Sequence, residues 1–169
     1  MQRFVNSYDH LTEHGIIETP DALDAWISAR GLPEGKRATA ADVRRVRNFR
    51  ETLRAVLGGN NGGPVDPIVI EKMNTLIRKA MLAVHVQPDG RPALKGDGRG
   101  VPGLLGAIGA ALATAEARGI WERLKACHSC GWIFYDRSKN RSGSWCTMTI
   151  CGSRSKMRAY RNRNRPPVN

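Results

Sequence analysis

CHSCGWIFYDRSKNRSGSWCTMTIC, running from Cys127 to Cys151, holds every cysteine of the 169-residue chain. The spacing is Cys127-x2-Cys130-x15-Cys146-x4-Cys151. Two close pairs of soft ligands separated by a hairpin-sized insert suit a tetrahedral zinc ion. The first pair forms a tight knuckle helped by Gly131, whereas the wider second pair calls for a looser loop. Four sulfurs close the ligand count, which leaves His128 a bystander inside the knuckle. A site closed by four protein ligands keeps no position open for water, so the metal is structural. A thioredoxin-like dithiol would need a surrounding strand–helix unit that the sequence lacks. Iron–sulfur ligation is allowed by count, but nothing in the sequence favours an electron carrier.

Between the pairs, Trp132, Phe134 and Tyr135 stand together, and Trp145 adjoins the third cysteine. Trp132 and Phe134 read as a small core beneath the metal, because so short a module has few other apolar groups. Tyr135 is left open between packing and base stacking. The turn after the aromatic strand carries Arg137, Lys139 and Arg141, side chains that seek phosphate. Beyond Cys151, a helix would set Arg154, Arg158, Arg161 and Arg165 on one face, with Lys156 and Arg163 beside them, and Pro166-Pro167 would end it. Like charges crowded this way destabilise a helix unless an anion relieves them. Arginine's planar fork matches phosphate oxygens and guanine edges.

The charge is unevenly placed. Residues 121–169 hold 11 Lys/Arg against 2 Asp/Glu, whereas residues 1–120 hold 16 against 13. Most of the net +12 therefore lies on the last 49 residues, which would attract a polyanion. The chain divides accordingly into a helical part, 1–120, and a cysteine module, 121–169.

The first part reads as helices. Thr19-Pro20-Asp21 is a capped start, with Leu23, Trp26 and Ile27 as the apolar stripe and Gly31 as the stop. Thr39 with Asp42 approaches a capping box for a longer helix. Val43, Val46, Phe49, Leu53, Val56 and Leu57 form its inner face, while Arg44, Arg45, Arg47, Arg50 and Arg54 read as a mostly solvated surface. Gly58 to Pro67 is a connection. A shorter helix capped by Asp66 would turn Ile68, Val69, Met73, Leu76 and Ile77 inward. Met81–Val86 and Arg91–Lys95 around Gln87-Pro88-Asp89-Gly90 suggest a hairpin, in which His85 packs rather than binds. Gly96-Asp97-Gly98-Arg99-Gly100 lacks the Lys-Ser/Thr ending of a phosphate loop and carries little weight. A last helix is predicted from Leu104 to about Arg118. The longest apolar stretch, Val101 to Ala115, contains three glycines and a proline and is too short for a membrane span. The opening MQRFVNSYDH lacks a signal peptide's apolar run, so a cytoplasmic protein is expected. The fold class expected is mainly α: a helical domain with a short β-hairpin, then a small four-cysteine hairpin-and-helix module.

RLKACHSCGWIFYDRSKNRSGSWCTMTICGSR followed by KMRAYRNR resembles the CGNR zinc-finger module of bacterial proteins. The matches include Arg123 to Lys125, the four cysteines, Trp132 to Asp136, Ser138, Asn140, Trp145 to Met148, Gly152 and Arg154. Ser153 stands where the family motif has asparagine, and Ser144 where the turn usually has arginine. FVNSYD (Phe4 to Asp9) and TPDALDAWISARGL (Thr19 to Leu32) are similar to the helical stress-induced transcription regulator domain that precedes this finger. The resemblance implies structural Zn2+, a DNA-binding bacterial transcriptional regulator, and a small-molecule pocket at Asn6 and the surrounding helices, including Trp26. A homodimer stays open.

Three functions follow: a regulator that binds DNA, a protein associated with RNA or the ribosome, and a module docking an acidic partner protein. An enzyme is not expected, because no nucleophile stands with a base and the metal site is closed.

Overall fold

The Thr19 hydroxyl accepts from the Ala22 amide at 3.2 Å, and Pro20 takes the first position of α2. An earlier single turn, α1 (Gln2–Val5), leads to the two-residue strands β1 (Tyr8–Asp9) and β2 (His14–Gly15), and α2 spans Pro20–Ser28. Gly31, at φ +63°, ends that segment. The long α3 (Ala40–Gly59) opens with a complete capping box, since Thr39 and Asp42 each bond the other's backbone amide. Then come α4 (Pro67–Arg78), the hairpin β3 (Leu82–Val86) and β4 (Pro92–Gly96), and α5 (Gly100–Ala117). The C-terminal part contributes a 3-10 turn at Trp121–Arg123, the hairpin β5 (Leu124–Ala126) and β6 (Ile133–Tyr135), a π-helical turn at Met148–Gly152, and α6 (Ser153–Arg163). This computed structural model describes residues 1–80 and 82–164. Arg165, Pro166, Pro167 and the first residue expected of the β3 segment, Met81, lie outside the described residues. The fold is mainly α, as expected, with six helices among the described residues.

Helix α5 is the one among the described residues long and apolar enough to cross a membrane, yet 56% of it is buried inside the protein. It is the central packing helix, with Val101, Leu104, Leu105 and Ile108 in the core. It begins four residues before the expected Leu104, because proline is tolerated in a helix's first turn. The glycine-rich stretch before it serves packing. A side chain at Gly98 would meet the Gly103 amide nitrogen at 2.8 Å.

Two expectations for the helices are corrected. Ile68 is 75% exposed, because the side of α4 facing α3 and α5 carries Ile70, Met73 and Ile77 instead. More consequential, Arg50 and Arg54 are buried, with 1% and 8% of their surface exposed. They sit on the inner stripe with Val46, Leu53 and Leu57, at four-residue spacing from one another. Arg50 donates to Glu51, Ser7 and Glu18, and lies over the Tyr8 ring. Those partners remove the desolvation penalty that would otherwise push a guanidinium to the surface.

The core of the helical part does not stop at residue 120. Leu124, Ala126 and Ile133 of the β5–β6 hairpin belong to the same apolar cluster as Phe4, Leu53 and Leu57. Alternation along the strands turns Lys125 and Phe134 to the opposite face. The hairpin is thus a wall between the helical core and the cysteine cluster.

Candidate metal centre and basic surface

The four cysteines converge from three local structures. Cys127 directly follows β5, its amide donating to the Trp132 carbonyl, and Gly131 closes the knuckle by donating to the Cys127 carbonyl, both at 2.9 Å. Gly131 has φ +69°, a conformation that any residue with a Cβ adopts at a penalty. Cys146 precedes the π-helical turn and Cys151 lies within it, so the looser second loop is one wide helical turn. The Sγ atoms of Cys130, Cys146 and Cys151 are 3.6–3.7 Å apart. All four sulfurs lie within 4.8 Å of one another. A tetrahedral ion with Zn–S bonds of about 2.3 Å would set its sulfurs about 3.8 Å apart. The cluster therefore fits one zinc ion and leaves no fourth position for water.

Burial and the neighbouring sulfurs push the Cys130 thiol up and bring Cys146 to about 11. Burial also opposes the Cys127 thiolate, but backbone amides of Cys146, Ser129 and Cys130 bring it down to about 7. A bound cation reverses this crowding by stabilising every thiolate. His128 stays outside the cluster, since its Nε2 donates to the Asn61 carbonyl at 2.7 Å and its ring meets Trp145 edge-on. Phe134 and Trp132 pack against the cysteines as expected, while Tyr135 is 38% exposed.

Next to the cluster lies a buried ion pair. Lys125 Nζ donates to Asp136 Oδ2 at 2.8 Å, with side chains 5% and 2% exposed. The same ammonium reaches the carbonyls of Arg141 and Gly143, and the amides of Ser138 and Gly143 donate to the carboxylate at 2.9 Å. Burial works against the Asp136 charge, but Lys125 and those amide donors hold its carboxyl well below the usual carboxylate range. This network shapes the turn of residues 137–144. Neither residue stood among the candidate site residues. The signal was there: a lysine inside one short apolar strand and an aspartate directly after the other, positions where a buried charge survives only with a partner.

The module is tied to the helical part through side-chain amides and Arg54. Asn6 Nδ2 donates to the Ile133 carbonyl and Asn6 Oδ1 accepts from the Ile133 amide, both at 2.8 Å, as a paired strand would. Asn60 donates to the carbonyls of Trp121 and Leu124, and Asn61 to those of Ala126 and Ser144. Asn6 and Trp26, where the resemblance implies a pocket, both contact other protein groups. Both ends of the Asn6 amide are engaged, and Trp26 is buried edge-on against Phe4 with the Arg30 guanidinium 3.3 Å above its ring.

The basic residues are exposed but not equivalent. No residue of α6 is buried, and Arg154, Lys156, Arg158, Arg161 and Arg163 all face solvent. Arg158 makes one tie, to Ser129 Oγ at 3.4 Å. Arg137 and Lys139 are exposed in the turn, whereas Arg141 is paired with Glu122 and has φ +52°. No acidic residue occurs between Arg137 and Asn169.

Comparison with known families agrees with this geometry. The CGNR zinc finger matches residues 123–164. The family described as ABATE, "Putative stress-induced transcription regulator", matches residues 2–119. No curated protein matches the chain significantly. Both matched families are regulatory or zinc-finger types, and the four cysteines constitute a structural zinc site. With its helical part matched almost end to end, the chain belongs to the ABATE family and carries a CGNR zinc finger at its C-terminal end.

Proposed function

We propose that this regulator binds DNA through α6 and the turn of residues 137–144, which the zinc cluster and the Lys125–Asp136 pair hold in one orientation. The observation that carries the reading is an exposed helix with five Lys/Arg side chains, rooted in a metal-clamped turn, on a segment without acids. A helix with no buried residue adds little to a core, and one this rich in like charge gains stability when an anion offsets it. Arg137 and Lys139 extend the positive surface, while Arg141 acts mainly through Glu122.

Each phosphate neutralised by a cation releases condensed counterions, so affinity falls steeply with salt. If the five basic side chains of α6 each meet one phosphate, raising salt from about 50 to about 200 mM weakens binding roughly 500-fold. Fluorescence anisotropy of a labelled duplex with the zinc-loaded chain measures this. An affinity that is flat with salt, or a clear preference for an acidic protein partner, sinks the reading.

A further inference from the structure

We infer that α6 and the π-helical turn leading into it enter the major groove of duplex DNA and read thymine through Met157 and Ile150, set among the arginines of the same face. The inference rests on the nucleic-acid reading above and gives it a specific target chemistry.

Ile150, Ser153, Arg154, Met157, Arg158 and Arg161 line one continuous groove. From Ser153 to Arg161 the spacing is i, i+1, i+4, i+5 and i+8, one face of α6, and Ile150 joins the same groove from the π-helical turn before it. Ile150 is 50% exposed and Met157 53% exposed. Neither belongs to the buried core clusters, although Ile150 also borders the cavity beside Cys130, Cys146 and Cys151. About half of each side chain is left in water, and the two share a face with three arginines. Ile150 also has its backbone held at both ends, because Cys146 and Cys151 bracket its turn. Its position relative to the arginines is therefore fixed before any partner arrives.

The partner must present negative charge and a small apolar group side by side. In the major groove the thymine C5-methyl is that group, close to the phosphates and to the guanine O6 and N7 acceptors that arginine bonds. The groove, about 12 Å wide, admits an α-helix about 10–12 Å across. RNA offers neither feature, since uracil lacks the methyl and the A-form major groove is too deep and narrow for side chains to read.

The test begins by selecting bound sequences from a random duplex pool with the zinc-loaded full chain. Each thymine of the selected site is then replaced singly by deoxyuridine, which removes one methyl and nothing else. We expect about a 4-fold loss of affinity at one or two positions, the value of one apolar methyl group. Met157→Ala should weaken binding to the thymine duplex by a similar factor and abolish the thymine–uracil difference at one position. Ile150→Ala should do so at another, with zinc stoichiometry measured to show that the site is intact. Salt-dependent binding that ignores the methyl at every position overturns the inference and leaves the nucleic-acid reading standing. Tighter binding to structured RNA overturns it too, and absence of any salt-dependent binding overturns both.

Discussion

Arg54 Nη1 donates to the Gly131 carbonyl at 2.7 Å, one residue beyond a zinc ligand and seventy-seven positions away in sequence. The same guanidinium donates to the carbonyls of Val5 and Tyr8 and pairs with Glu51. One buried side chain of α3 thus satisfies backbone acceptors from α1, β1 and the zinc knuckle, groups that would otherwise be buried without partners.

Arg54→Met should therefore destabilise the protein by about 3 kcal/mol, since it removes charge-assisted bonds and strands several acceptors. Arg44→Met, on the exposed side of the same helix, should change stability by no more than about 0.5 kcal/mol. Urea denaturation of the two variants decides the matter. Equal effects would mean that Arg54 is no more than a surface residue.

That contrast also shows what the sequence could and could not reveal. The cap at Thr19, the capping box at Thr39 and Asp42, and the clustered cysteines were legible because each is a local pattern with one chemical solution. Arg50 and Arg54 were read as solvated because arginine is mostly exposed. Their burial depends on Glu18, Glu51 and the carbonyls of Val5, Tyr8 and Gly131, which only the tertiary fold brings near. The Asn6 tie to Ile133 was hidden for the same reason, being a contact across 127 positions.

Zinc removal should weaken the whole chain in one transition. A division at residue 120 predicts instead that Cys146→Ser melts residues 121–165 while the helical part survives unchanged. The shared core makes that separation unfavourable, because Leu124, Ala126 and Ile133 pack with the helices while their hairpin carries Cys127 and leads into the knuckle. Metal binding contributes much of the folding free energy of small zinc modules. Each kcal/mol lost should lower Tm by about 2–4 °C at this chain length. Calorimetry of Cys146→Ser, or of chelator-treated protein, should give a single peak at reduced temperature. Two peaks, one at the original Tm, would show that the helical part stands alone.

Asp136 should set an acid limit on stability. Its folded carboxyl titrates below its ordinary range, so the stabilisation is fully present above about pH 3.9 and is lost as pH falls from there toward the folded value. Asp136→Asn leaves the Lys125 ammonium buried without its counter-charge and should cost about 3–5 kcal/mol at neutral pH. The difference between the two proteins should narrow on acidification below about pH 4. A gap that is constant from pH 7 to pH 3 would mean that the carboxylate's charge does not contribute.

Gly143 should be coupled to that carboxylate by the closeness of its backbone. Its amide donates to Asp136 Oδ2 and its carbonyl accepts from Lys125, so the backbone passes directly beside the pair. A Cβ at position 143 would stand 2.7 Å from Asp136 Oδ1, closer than real carbon–oxygen contacts allow. Gly143→Ala must then displace the carboxylate from Lys125 or shift the turn, with an expected loss of about 1–3 kcal/mol. In an Asp136→Ala background the obstructing oxygens are gone, and the same substitution should be nearly neutral. The double-mutant cycle would therefore show a coupling of at least about 1 kcal/mol between positions seven residues apart. Strict additivity would place the origin of any Gly143 effect in its backbone conformation instead, and the turn would owe nothing to the close approach.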